Sequence, residues 1–423
     1  MRITFNYPQI APFEVEDEGL VGVFAPREPV ERINEAAALE RGLTDPIGAS
    51  PLAQLARGHR RVLILVDDLT RRTPMRLLLP PILAELNAAG IPDHAITALI
   101  ALGTHRSMTR NEIEHRFGSE VCTRISIHNH AWNNPTMLVN AGHSPFGVPL
   151  RVNRLVREAD FVIGVGHIVP HSVAGFSGGS KIVVPGIAGE ETTAATHWAF
   201  VHQDMGRLFG QRDNPIRETM DDVARAVGLD YIINAVQDSR GVLRWVVAGD
   251  LVVAHRRGCE LCREIYEVPM PGDNDITVVE AAPTDIDLRQ SIKGLCAAEL
   301  VTRPGGAIIL VSPCPEGVAP QFPEYLEYGF RNPARLMHLA EAGVIPSKVG
   351  AMTMVYVARI LERFRGYLVS PGLSREETEQ MNFRHAATVQ QALAAARAET
   401  GPSPRIAVIR YGGEILPLVQ RGD

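Results

Sequence analysis

Residues 61–105 read RVLILVDDLTRRTPMRLLLPPILAELNAAGIPDHAITALIALGTH, and the order of patterns within them sets the fold class. Val62 to Val66 form a continuous apolar run, which suits a strand buried on both faces, and the run breaks at Asp67 and Asp68 into a charged loop. The next segment, PMRLLLPPILAELNAAG, predicts a helix ended by Gly90, and AITALIALGTH predicts a second buried strand. Strand, helix and strand in succession make a crossover unit, and hence a parallel sheet.

The same logic extends outward along the chain. Thr109 and Glu112 form a capping box that opens another helix. Strands are expected at RISIHN, DFVIGVG and YIINAV, and helices at EETTAATHWAFVHQ and PIRETMDDVARAVG. Turn formers gather at Pro269-Met-Pro-Gly-Asp-Asn, after which the alternation restarts with ITVVEAA, a helix through DLRQSIKGLCAAELV, and AIILVSP. Helices at PARLMHLAEAG, VYVARILERF and TVQQALAAARAE and a strand at RIAVIRY complete the pattern. Two α/β domains with mainly parallel sheets follow, 1–268 and 269–423, in line with 423 residues at roughly 150 per domain.

Composition narrows the function classes. Hydrophobic content of 45%, charged content of 21% and a mean hydropathy near zero describe a globular chain with enough apolar side chains for sizeable cores. A net charge of -6 with scattered arginines argues against nucleic acid. The start, MRITFNYPQIAPFEVEDEG, carries neither a signal-peptide nor a transit-peptide pattern, and no apolar run approaches the roughly 20 residues that span a bilayer. A cytoplasmic protein without membrane partners is expected. Five scattered cysteines fit reduced thiols, and the CELC at Cys259 to Cys262 lacks a second pair to complete a zinc site, so it is read as structural.

The polar residues of interest share an address. Asp68 and Arg71, His105, His167 and His171, and Gln290 and Lys293 each follow an expected strand, and open α/β sheets bind ligands beyond the carboxyl ends of their strands. A site in the cleft between the two domains is the natural inference. Within HIVPHSVAGFSGGSKIVVPG, residues 167–186, the familiar motifs fail. A phosphate loop would need Gly at Ser180 and Ser or Thr at Ile182, and a dinucleotide fingerprint would need Gly at Val169. His167 and His171 have metalloprotease spacing, but Pro170 stands between them and Ile168 replaces the required Glu. A Ser-Lys hydrolase would need Ser at Gly178, and the GxSxG around Ser177 lies too far from its strand for a nucleophile elbow.

Histidine density remains. Ten of the fourteen histidines fall between residues 94 and 202. His94, His115, His128, His130, His143 and His202 are read as surface or satisfied core residues. His105 and His171 are favoured for function, because imidazoles move protons near neutral pH.

The run GHIVPHSVAGFSGGSK, followed by THW at 196–198, resembles the nickel-dependent lactate racemase family. The resemblance extends in order to DDLTRRTP, GTHR and DLRQSIKG, and so covers nearly the whole chain. It implies that Lys181 carries a nickel-pincer nucleotide, a pyridinium-3-thioamide-5-thiocarboxylic acid mononucleotide with Ni(II), through a thioamide bond. It further implies His197 as a nickel ligand, which suits square-planar Ni(II), and His105 and His171 as the acid/base pair. Asp68, Gly178 and Gly179 match positions lining the cofactor, and Arg71, Gln290 and Lys293 match residues that line the cofactor and the substrate carboxylate. The implied activity is inversion of the C2 stereocentre of a 2-hydroxy acid by reversible hydride transfer, and the implied partners are enzymes that make the cofactor.

Two positions depart from the family pattern. Arg289 stands where the lactate enzymes typically carry a tyrosine, and Met352 where they typically carry a tryptophan. A further cation beside the pocket favours a malate-like dicarboxylate over lactate, whereas an Arg289 turned to solvent would carry no such meaning. Lactate, another short hydroxy acid and a sugar acid are the alternative substrates, and a non-catalytic cofactor- or anion-binding protein of the same fold is the alternative class.

Overall fold

The computed structural model describes residues 1–29, 33–143, 147–198, 201 and 208–420. The chain divides into two compact units: the first is built on Glu28–Phe200 and Gly210–Glu264, the second on Met1–Arg27 and Ile265–Asp423. Each is α/β, with a six-stranded sheet. The strands of these sheets, numbered along the chain, are β1 (Leu20–Phe24), β2 (Val62–Asp67), β3 (Ile96–Ala101), β4 (Ser126–Asn129), β5 (Phe161–His167), β6 (Tyr231–Gln237), β7 (Leu243–Gly249), β8 (Asn274–Glu280), β9 (Thr302–Val311), β10 (Arg365–Val369), β11 (Arg384–His385) and β12 (Ile406–Ile409).

In the first unit the sheet order is β7-β6-β5-β2-β3-β4. All neighbours are parallel except β7, which returns antiparallel to β6. The apolar run Val62 to Val66 is almost wholly buried, as a central strand covered on both faces requires. Each such side chain contributes about 1.5–3 kcal/mol. Helix α1 (Met75–Ala88) lays Leu78, Leu79, Ile82, Leu83 and Leu86 on this core, the 3.6-residue period anticipated from the sequence. Helix α2 (Arg110–Phe117) begins with the expected capping box: Glu112 N donates to Thr109 Oγ1 at 3.3 Å, and Thr109 N donates to Glu112 Oε2 at 2.7 Å.

The second unit has the order β11-β10-β9-β8-β12-β1, parallel throughout. Its sixth strand comes from the start of the chain, so residues 1–27 belong with the C-terminal sheet and not with the N-terminal domain that the sequence boundaries 1–268 implied. The join is polar as well as strand-paired. Glu280, fully buried at the end of β8, accepts from Asn6 N at 3.2 Å and from Tyr411 N at 3.1 Å. Burial raises the Glu280 carboxyl above its ordinary range, and burial, with Asp285 and Glu280 nearby, raises the adjacent Tyr7 phenol. Among the described residues, no helix is long and apolar enough to cross a membrane.

Candidate active site

The order of the first sheet creates a switch point. From β2 the chain moves to β3 on one side, whereas β5 lies against β2 on the other, so the connections diverge and leave a crevice beyond the ends of β2 and β5. Asp67 closes β2 inside this crevice. Its carboxylate pairs with Arg116 and accepts from the Thr73 hydroxyl. With its proton committed to Asp67, Thr73 Oγ1 accepts from His167 Nδ1 at 2.8 Å. Burial opposes ionisation of Asp67, but Arg116, His167 and Thr73 outweigh it and lower the pKa. Arg116 also donates to Asp67 O at 3.1 Å and Arg71 O at 2.8 Å, which fixes the loop carrying Asp68 and Arg71.

Asp68 is buried and faces His105, with Oδ2 and Nδ1 separated by 2.5 Å. Thr70 supplies both a backbone N–H at 3.1 Å and a hydroxyl at 2.6 Å to Asp68 Oδ1. Although burial opposes the charge, His105, Arg71 and Thr70 hold the carboxyl well below the usual carboxylate range. His105 follows β3, the neighbour of β2, so the pair is brought together by strand adjacency.

Beyond β5 the chain turns into a short hairpin, in which Pro170 and His171 pair with Phe176 and Gly175. His171 Nδ1 accepts from Val173 N at 3.1 Å and Ala174 N at 3.2 Å. The glycine-rich run 174–180 is largely buried and pinned. Arg217, fully buried on helix α4 (Pro215–Val227), donates to Ala174 O at 3.2 Å, Gly178 O at 3.2 Å and Phe176 O. Gly179 N donates to Asn234 Oδ1 at 2.8 Å, and the buried ring of His255, on helix α5 (Val253–Tyr266), contacts Ser177 O through Nε2 at 2.9 Å. Gly178 and Gly179 have φ of 73° and 57°, and a Cβ on Gly179 would stand 2.7 Å from His255 Cδ2. Both glycines therefore have a packing reason.

Lys181 emerges from this rigid turn. It is half-buried, and its amine is pushed down to about 7, mainly by burial, with Arg71 and Arg217 adding to the effect and Asp68 and Asp67 opposing it. Such an amine is substantially neutral at physiological pH, the state in which a lysine nitrogen forms covalent bonds.

The sequence matches the family model of the lactate racemase N-terminal domain over residues 8–208 and that of the lactate racemase C-terminal domain over 269–416. It is 30% identical over 414 residues to the lactate racemase of Lactiplantibacillus plantarum, covering 94% of this chain and 95% of that one. The chain belongs to the lactate racemase family. The lactate racemase of Thermoanaerobacterium thermosaccharolyticum is likewise 30% identical over 422 residues, covering 98% of each chain. The structure of its apoprotein superposes with a TM-score of 0.88 at 28% identity, covering 99% of this chain and 100% of that one. A Thermotoga maritima protein shares the fold, with a TM-score of 0.74 at 23% identity over 91% of this chain and 98% of that one.

Of the positions matched to lactate racemases, Asp68, Arg71, His105, His171, Gly178, Gly179 and Lys181 lie in the first unit around the ends of β2, β3 and β5. His197 belongs to helix α3 (Glu190–Trp198), and its side chain lies outside the described residues, as does His202. Among the described residues, no group of three His, Cys, Asp or Glu could hold a metal. Gln290 and Lys293 belong to the second unit, where helices α6 (Leu288–Ser291) and α7 (Lys293–Val301) replace the single expected helix. Lys293 Nζ donates to Gln290 Oε1 at 2.5 Å. Arg289 is half-buried and not turned wholly to solvent: its guanidinium carbon lies 4.6 Å from the centre of the Phe322 ring. Met352 is buried in the helix Lys348–Arg363.

His167 is a buried support for Thr73, and His130 is a satisfied core residue, its pKa lowered by burial to about 4 despite a hydrogen bond to Ala188 O. Arg217, Asn234, His255 and Arg116 were not anticipated. For Arg217 a signal existed: it and Asp221 stand at i and i+4 on the face that also carries Met220 and Ala224, and charged residues on an apolar face announce buried polar anchors.

Proposed function

We propose that the protein is a nickel-pincer-dependent racemase or epimerase of 2-hydroxy acids, with a malate-like dicarboxylate favoured over lactate. The observation that carries this reading is the grouping at one switch point of an amine poised near neutrality, an Asp-buttressed histidine and a second histidine in a fixed hairpin. Lys181 fits a covalently tethered nucleotide, because its nitrogen is neutral enough to form the bond and is held by a rigid turn. When bound, the pyridinium supplies an electron-poor acceptor for a hydride. His197 is assigned to nickel by family resemblance.

The chain's own groups handle the protons and the charge. His105 Nε2 takes the hydroxyl proton as the C2 hydride departs with its electron pair, which leaves a planar 2-keto acid. Return of hydride to the opposite face, with a proton from the second histidine in its protonated form, gives the inverted hydroxy acid, so one hydride and one proton leave and return. Arg71, Gln290 and Lys293 are assigned to the substrate carboxylate, for which a guanidinium offers a bidentate fork. The restraint of Arg289 by Phe322 supports a role for its cation toward a second carboxylate.

The test is production alongside cofactor-biosynthesis enzymes, the partners this reading requires in the same cytoplasm, followed by intact mass, nickel content and a chiral assay of malate, lactate and sugar acids. A mass increment on Lys181, bound nickel and malate racemisation are expected. Active material with an unmodified Lys181 would overturn the attachment, and loaded protein inert on every hydroxy acid would favour a non-catalytic binder.

A further inference from the structure

The two histidines assigned to proton transfer face opposite chemistry at the same ring atom. At His105, Nδ1 meets the Asp68 carboxylate, which can only accept, so the proton sits on Nδ1. At His171, Nδ1 meets two backbone N–H groups, from Val173 and Ala174, which can only donate, so Nδ1 carries no proton. The neutral His171 ring therefore bears its proton at Nε2.

Neither arrangement is a loose local contact. Asp68 is locked by Thr70, and the loop that bears it by Arg116. The amides that cap His171 belong to a hairpin whose Ala174 and Phe176 carbonyls are both held by the buried Arg217. Gly175, at φ 70°, packs so closely on Gln211 that a Cβ would stand 1.8 Å from its carbonyl oxygen. Rotation of the hairpin amides away from His171 would thus disturb the whole pinned turn.

We propose that the resting enzyme holds His105 and His171 as opposite tautomers, His105 presenting a lone pair at Nε2 and His171 presenting an N–H there. The inference rests on the racemase reading for its catalytic meaning. A hydroxyl brought to His105 meets a proton acceptor at once. An oxygen brought to His171 meets a neutral hydrogen-bond donor, the role a neutral imidazole plays when backbone N–H groups cap its other nitrogen. A neutral ring that gave up its Nε2 proton would be left as an imidazolate, so His171 can supply a proton only after Nδ1 has left its two amides and taken one up, and turnover of the two enantiomers starts from different enzyme states. Because enantiomers are equal in energy, kcat/KM must agree for both, and the asymmetry appears as a common factor in kcat and KM.

The direct test needs neither cofactor nor turnover. Apoprotein labelled with 15N-histidine is examined by long-range 15N–1H correlation at neutral pH, with His105→Gln and His171→Gln used to assign the signals. The expected result is a pyrrole-type shift for Nδ1 of His105, a pyridine-type shift for Nδ1 of His171 and a pyrrole-type shift for its Nε2. A pyrrole-type Nδ1 at His171, or a pyridine-type Nδ1 at His105, would overturn the assignment. In Asp68→Asn the His105 pattern should change while that of His171 stays, and a change at neither would equally overturn it. If the shifts are as expected but loaded enzyme racemises nothing, it is the proposed activity that fails.

Discussion

Asp68 Oδ2 and His105 Nδ1 lie 2.5 Å apart at the ends of two adjacent parallel strands. The carboxylate orients the imidazole and, in the proposed reaction, would stabilise the positive charge that appears when Nε2 takes a proton. Its folded pKa lies below the unfolded value, so its stabilising contribution is present above the unfolded pKa and is lost only as pH falls through the folded one. Asp68→Asn should therefore lower kcat by about 10³–10⁴-fold, as loss of a tautomer-setting carboxylate does elsewhere. Substrate KM should change little, and nickel content should separate a catalytic loss from a loading defect.

Lys181 should be reactive well below the pH at which ordinary lysines respond. Acylation of the apoprotein, followed at Lys181 by peptide mass, should show a midpoint near pH 7, against about 10.4 for an unperturbed lysine. The unfolded chain binds this proton more tightly, so the group's cost to the fold is full below about pH 7 and is relieved toward pH 10. Lys181→Met should consequently raise the thermal midpoint at pH 6 more than at pH 10. A labelling midpoint near 10 would remove the amine from its assigned role.

Arg217→Met should destabilise the first unit by about 3–5 kcal/mol, since three backbone carbonyls lose a buried charged donor. Arg217→Lys should recover only part of this, because a single ammonium cannot reproduce the planar fork. Urea denaturation monitored by circular dichroism measures both. Wild-type stability in the methionine variant would show that the turn around Lys181 is held by other means.

Arg289→Leu should lower kcat/KM for malate about 10- to 100-fold, the loss of one hydrogen bond to a charged group, while leaving lactate turnover within a few-fold. Equal losses on both substrates would assign Arg289 to packing against Phe322.

The first unit was legible where the chemistry is local. The buried run at Val62–Val66, the capping box at Thr109 and the leucine stripe of α1 all form as their residue patterns require. Motif order singled out Asp68, His105 and Lys181 as candidates, and strand adjacency explains why Asp68 and His105 meet. What could not be read were pairings between distant segments. Nothing in LVGVF announces that it joins β12, and nothing in LRWVVAG shows that β7 runs antiparallel. The rigidity of the glycine run was not legible because its restraints, Arg217, Asn234 and His255, come from helices and strands far along the chain. The break between α6 and α7 lies at Ile292, which keeps helical angles (φ -62°, ψ -10°), so no turn former marks it in sequence.

The pairing of β1 with β12 also bears on how the protein is made. The ribosome delivers β1 long before its neighbour β12, and synthesis at about 5–20 residues per second separates the two by tens of seconds. During that interval Phe5, Tyr7 and Phe13 have only their own segment to pack on, since the rest of their core lies beyond 270. The first unit can close on its own nascent segment, whereas the second can be completed only once β12 has emerged. Nascent-chain chaperones should therefore hold this amino-terminal stretch longer than any other, and a fragment starting at residue 269 should be expressed as an incomplete sheet that needs residues 1–27 supplied in trans.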